Sequence, residues 1–168
     1  MPSYVVHLAT AQEYLRKHNR EFSQEFMNGS IEPDFTTDKS KTHYGKSPAY
    51  TNLKKYLESN KIDTDFKQGY FLHLVTDYLF YNYYLDELKK PEIFDDYDII
   101  SKPIIEKYNV VLPEKVKEIT TFKTGKTKIL SLELAYKVID EVSDLTLEEI
   151  EKEVMNNLDK WNYYKKLV

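Results

Sequence analysis

Five polar side chains have the types and the order to do chemistry together. His73 and Asp77 lie within G-Y-F-L-H-L-V-T-D-Y-L-F-Y-N-Y-Y-L, the run from Gly69 to Leu85. Residues four apart share one face of a helix. A carboxylate buried in such an apolar helix costs on the order of several kcal/mol unless it is paired or binds a metal. Two readings follow: a His–Asp hydrogen bond tying this helix to its neighbours, or an imidazole and a carboxylate offered to one ion. His7 sits in the first helix-like stretch, and Asp34 and His43 sit in S-I-E-P-D-F-T-T-D-K-S-K-T-H-Y-G-K-S-P, from Ser30 to Pro48. Three imidazoles and two carboxylates suit borderline and hard divalent ions such as zinc, manganese or iron. A loop folded over two helices can bring all five to one point, although spacing alone does not fix that convergence.

The elements that must position them read as helices. Thr64 to Lys89 forms the organising helix, capped by Asp63 or Thr64 and stopped before Pro91. It is apolar on nearly every face, as a helix buried on all sides is. His73, Thr76, Asp77 and Asn82 interrupt it, so it lacks the roughly 18 consecutive apolar residues of a membrane span. Ser3–His18 has Tyr4, Leu8, Ala11 and Leu15 at helical spacing, with His7 beside that stripe and His18 near a basic end. A short helix from Arg20 to Met27 is expected to stop at Asn28-Gly29, because glycine ends helices in the left-handed conformation. The long segment from Ser30 to Pro48 reads as an irregular loop, a length often tied to function.

Further on, Ser47-Pro48 opens a helix to about Asn60, and E-I-F-D-D-Y-D opens another that runs to about Tyr108. Asp95, Asp96 and Asp98 fall in its first turns, where acidic charge is favoured; the alternative is that Asp98 points into the cleft. Pro113–Phe122, Ser131–Val142 and a last stretch from Thr146 to about Tyr164 complete the set, Thr146 and Glu149 forming a capping box. K-T-G-K-T-K (Lys123–Lys128) is a basic turn without phosphate-loop spacing. No alternating strand of useful length and no internal repeat occurs. The reading is all-α: one domain over residues 1–168, with seven or eight helices around a buried central one.

Composition narrows the function classes. Hydrophobic and charged residues make up 41% and 31% of the 168 residues, as in globular proteins. A net charge of −4 gives no electrostatic case for nucleic acid. Cysteine is absent, so disulfides and thiolate zinc sites are excluded. An initiating Met without a secretory pattern predicts a cytoplasmic protein. Exposed tyrosines among the 15 present leave peripheral membrane contact open; oligomeric state is not legible.

The residues Phe26–Phe35 (F-M-N-G-S-I-E-P-D-F), Thr42–Gly45 (T-H-Y-G) and Gly69–Tyr78 (G-Y-F-L-H-L-V-T-D-Y) together resemble the zinc-dependent phospholipase C family. The small, uncharacterised bacterial members are the most similar, and Tyr97-Asp98 adds a less specific likeness. The resemblance spans about the first 110 residues. It implies a phospholipase C/P1 nuclease-like fold, metal ligands at His7, Asp34, His43, His73 and Asp77, and hydrolysis of small-molecule phosphate esters. The secreted phospholipases carry an export signal, a mature N-terminal Trp that binds zinc, and more histidines; this chain has neither of the first two and only four histidines, enough for one or two ions. In a phosphoester hydrolase of this kind Asp34 would bridge metals or act as general base. Lys39, Lys41 or Lys46 would neutralise the phosphate, and Tyr44 and Tyr70 would line the pocket.

Two alternatives stand beside it. Nucleotide phosphohydrolases of the HD type are also helical, but they use an adjacent His-Asp dipeptide. Here each His precedes Leu8, Asn19, Tyr44 or Leu74. A non-catalytic helical interaction module with structural His–Asp pairs is the other; it would bind no metal.

Overall fold

The structure, a computed structural model, describes residues 3–88 and 91–165. It is all-helical, and no strand occurs among the described residues. Among the described residues nine α-helices run in the order α1 (Tyr4–Lys17), α2 (Gln24–Ile31), α3 (Lys39–His43), α4 (Leu53–Ser59), α5 (Asp65–Leu79), α6 (Glu92–Tyr108), α7 (Glu114–Lys117), α8 (Leu132–Ser143) and α9 (Leu147–Met155). The count exceeds the expected seven or eight because one short helix, α3, forms where loop was expected.

Short oxygen side chains begin these helices by accepting a first-turn amide. Ser3 accepts from Val6, Ser23 from Phe26, Asn52 from Lys55, Thr64 from Lys67 and Ser131 from Leu134. Thr146 takes the cap position of α9 without a side-chain bond, so the expected capping box is not formed.

Helix α5 is the central element. Every residue from Phe71 to Tyr78 is buried. After Leu79 the helix widens into a single π turn, Phe80–Tyr84, and the chain is extended at Leu85. The expected end at Lys89 lies outside the described residues, but the helical path has already closed. Asn82 stabilises the widened turn: its amide donates to the Tyr78 carbonyl at 2.8 Å and its oxygen accepts from the Lys165 amide at 2.6 Å.

Gly29 does not end α2. The helix continues to Ile31, and Gly29 faces α5 at a backbone crossing. A Cβ at Gly29 would overlap the Phe66 carbonyl oxygen, and one at Gly69 would overlap the Phe26 carbonyl oxygen. The two glycines are therefore a reciprocal pair that lets two helices touch backbone to backbone. Helix α1 packs across this pair and against α6 and α8. Tyr78 closes the C-terminal side, with its hydroxyl 2.6 Å from the Lys160 carbonyl and 2.7 Å from that of Tyr163.

Other boundaries differ for local reasons. Residues 30–48 are not irregular: a 3-10 turn at Glu32–Asp34 and helix α3 occupy most of them. The helix expected from Pro48 breaks into a 3-10 turn, Pro48–Tyr50, and α4, because Asn52 starts a fresh cap. The helix expected to reach Phe122 ends at Lys117. The last helix ends at Met155, where Asn157 turns left-handed at φ 57°, and a 3-10 turn at Asp159–Trp161 follows. None of the described helices is long and apolar enough to cross a membrane.

Candidate metal centre

The five residues converge. Helix α5 supplies His73 and Asp77 on one face, and α1 supplies His7. Asp34 follows α2 directly on a 3-10 turn whose Pro33 presets the backbone. That turn is held on two sides: the Tyr4 hydroxyl donates to the Asp34 carbonyl at 3.1 Å and the Thr42 hydroxyl to the Pro33 carbonyl at 2.8 Å. His43 is the last residue of α3, which stops because Tyr44 turns left-handed at φ 59°. The Asn52 amide then binds the His43 carbonyl at 3.1 Å. All five side chains are buried.

The donor atoms of Asp34, His43, His73 and Asp77 all lie within 4.8 Å of one another. His43 Nε2 is 2.9 Å from Asp77 Oδ2 and 3.3 Å from His73 Nε2. His73 Nε2 is 3.4 Å from Asp77 Oδ2 and 3.8 Å from Asp34 Oδ2. Donors about 2.0–2.1 Å from a tetrahedral zinc ion would sit about 3.3 Å apart, so these separations need only small adjustments. His7 flanks the group, stacked on the His73 ring at 3.7 Å with Nε2 3.2 Å from Asp77 Oδ1.

The ring protons point outward. His73 Nδ1 donates to the Ser30 carbonyl at 2.7 Å, and His43 Nδ1 to the Lys39 carbonyl at 3.1 Å. Each Nε2 of a neutral ring therefore presents a lone pair to the centre, the arrangement that backbone carbonyls impose on metal-binding histidines. With both rings neutral, two imidazole lone pairs and two carboxylates face one point, and a proton shared between His43 Nε2 and Asp77 Oδ2, 2.9 Å apart, competes with an ion for the same lone pairs. Four buried polar atoms, His7 Nδ1, His7 Nε2, Asp34 Oδ2 and Asp77 Oδ1, have no hydrogen-bond partner among the described residues. Such groups cost free energy unless a cation or proton satisfies them. The residues present fit a divalent ion.

Electrostatics agree with the geometry. Burial pushes the His7 imidazolium down, His73 beside it pushes further, and despite Asp77 and Asp34 it falls to about 4. Burial also disfavours the charged ring of His73, but the carboxylates of Asp77 and Asp34 outweigh it and the net shift is upward. For Asp77 burial raises the carboxyl, yet His73 and the bonds from His43, His7 and His73 hold it well below the usual range.

The other expected residues are placed variously. Lys39 joins the centre, with Nζ 2.7 Å from Asp34 Oδ1. Tyr70 supports it from behind by donating to the Thr42 carbonyl at 2.8 Å. Tyr44 packs edge-on against Tyr56 and accepts from the Asn60 amide at 3.2 Å. Lys46 lies 4.1 Å over the Tyr50 ring, and Lys41 is exposed beside Asp38. Asp98 pairs with Lys123 at 3.6 Å instead of reaching the centre. Its neighbour Asp96 is the buried carboxylate of α6, and it accepts the amides of Lys128, Ile129 and Leu130 at 2.7–2.8 Å. His18 stacks on Tyr14 and bonds the Tyr14 carbonyl, away from the cluster.

Tyr97 has a place in the Tyr97-Asp98 likeness, but the sequence assigns it no site role. It is buried on α6 and lines a cavity of about 270 Å³ together with Lys39. Comparison of the chain with protein-family models, with curated proteins and with solved structures found no match.

Proposed function

We propose that the chain is a metal-dependent phosphoester hydrolase with a phospholipase C-like helical fold, its ion most consistent with zinc. The single observation that carries this reading is the buried group of Asp34, His43, His73 and Asp77, whose ligand atoms lie within 4.8 Å of one another while Asp34 Oδ2 and Asp77 Oδ1 have no hydrogen-bond partner among the described residues. Asp34, His43, His73 and Asp77 would hold the ion, and His7 would complete the shell or serve a second one. When bound, such an ion neutralises phosphoryl charge and lowers the pKa of water towards neutrality.

The chain's own residues supply the rest. Lys39 Nζ holds Asp34 Oδ1 and brings a cation to the edge of the centre, where it offsets phosphate charge. Asp34 would bridge two ions or, alternatively, act as the general base, its buried Oδ2 having no hydrogen-bond partner among the described residues. In the balanced reaction a water oxygen bonds to phosphorus, the ester P–O bond breaks, and the water's protons end on the departing alcohol and on phosphate or solvent. The carbonyls of Ser30 and Lys39 keep both imidazoles in the tautomer that leaves Nε2 free.

Elemental mass spectrometry of untagged protein, purified without chelators and reconstituted with zinc, manganese or iron, tests the reading. One or two equivalents of metal are expected, lost in His73→Ala. Hydrolysis of bis(p-nitrophenyl) phosphate or p-nitrophenyl phosphate by the loaded protein is expected as well. No metal under any of these conditions would leave the His–Asp pairs as core hydrogen bonds and favour an interaction module.

A further inference from the structure

The cavity beside the centre has two kinds of wall. Pro48, Ala49, Tyr81 and Ile93 make it apolar, while Lys39 and Tyr97 bring polar groups to it. Lys39 already touches Asp34, so the polar end of the cavity adjoins the ligand cluster. The Tyr97 side chain is only 6% exposed, yet it lines the cavity; its hydroxyl makes no hydrogen bond among the described residues and its oxygen is not one of the buried unpartnered atoms, so it opens onto the cavity. Burial and the charges of Asp77, Asp34 and Asp96 push that hydroxyl well above the usual phenol range, so it remains a donor.

Size sets a second constraint. At about 270 Å³ the cavity lies just below the range of about 300–1,000 Å³ usual for ligand pockets, which suits a ring or short branched chain better than two long acyl chains.

We propose that Tyr97 is a substrate-binding residue that donates its hydroxyl to the phosphate beside Lys39, and that the cavity takes the small apolar alcohol portion of a phosphate ester. The substrates are then compact monoesters or diesters with a ring-sized organic group. This rests on the metal centre proposed above.

Binding of two probes to the zinc-loaded full chain tests it, with inorganic phosphate and phenylphosphonate titrated calorimetrically. Metal content is measured on the same samples. The phenyl ring should strengthen binding by about tenfold or more over phosphate, from burial of its apolar surface. Tyr97→Phe should weaken both probes by at least about tenfold with metal content unchanged, since a bond to a charged group is lost. Ala49→Leu, which fills the apolar end, should abolish the preference for phenylphosphonate and leave phosphate binding intact. Metal bound normally with Tyr97→Phe equal to the parent chain overturns the Tyr97 assignment alone. Equal affinity for the two probes overturns the cavity assignment. A chain that takes up no metal overturns both this inference and the hydrolase reading.

Discussion

Chelation should destabilise the protein by an amount the centre itself sets. Two carboxylate oxygens of the centre, Asp34 Oδ2 and Asp77 Oδ1, lack a hydrogen-bond partner among the described residues. An unsatisfied buried group costs about 1–3 kcal/mol, so a bound cation should relieve about 2–6 kcal/mol. Linkage gives about 4.1 kcal/mol when free metal is 1,000 times its dissociation constant, within that range. For a chain of this size each kcal/mol moves the melting midpoint by about 2–4 °C, so zinc should raise it by about 4 °C or more over protein in chelator. Differential scanning fluorimetry at fixed pH and protein concentration reads this directly. The increment should vanish in His73→Ala and in Asp77→Asn, whose own baselines serve as references. A parent chain with the same midpoint in chelator and in saturating zinc would refute the reasoning, because the orphaned atoms would then be satisfied without an ion.

Three other outcomes follow from the same structure. Gly69→Ala should lower the denaturant midpoint and cost about 1–3 kcal/mol or more by overpacking against the Phe26 carbonyl, although alanine in an open helix would stabilise by about 1 kcal/mol. Asp96→Ala should cost about 3 kcal/mol or more by leaving three amides without their acceptor, while metal content stays that of the parent chain. Zinc affinity, measured by competition with a chromophoric chelator, should fall as pH falls. The folded value of His73 lies above 6.5, so the stability from its charge is complete below 6.5 and is lost as pH rises through the folded value. Zinc needs the neutral ring, so proton and metal compete across that window, and an affinity independent of pH between 8 and 6 would contradict the ligand role.

Much of this was readable because some residues act locally. Ser3, Thr64 and Ser131 cap helices through bonds spanning three residues, and each helix begins where its cap predicts. His73 and Asp77 share a face by helical geometry alone. What escaped depends on contacts distant in sequence. Gly29 reads as a stop, yet its neighbour across space is Phe66. Asp96 and Asp98 look alike on a first turn; only the return of residues 128–130 separates the buried one from the half-buried one. Tyr97 carried only the weak Tyr97-Asp98 likeness and no site role, since its place in the wall of the cavity is a property of the assembled fold. The Ser30–Pro48 stretch reads as loop because its helical pieces are shorter than the periodicity that reveals a helix.

The crossing of α2 and α5 acts as a ruler for the centre. One residue beyond Gly29, the Ser30 carbonyl meets His73, which stands one helical turn beyond Gly69. Four residues further along that strand of chain comes Asp34. No compliant side chain separates the two backbones at the contact, so one helix cannot slide along the other without a clash. Ligand constellations work within about 0.5 Å of their productive geometry, and here that tolerance is enforced by main-chain atoms. It follows that the two glycines form one mechanical part. Transplanting the four ligands into another helical scaffold without that pair would carry over the donor atoms but not the spacing between them.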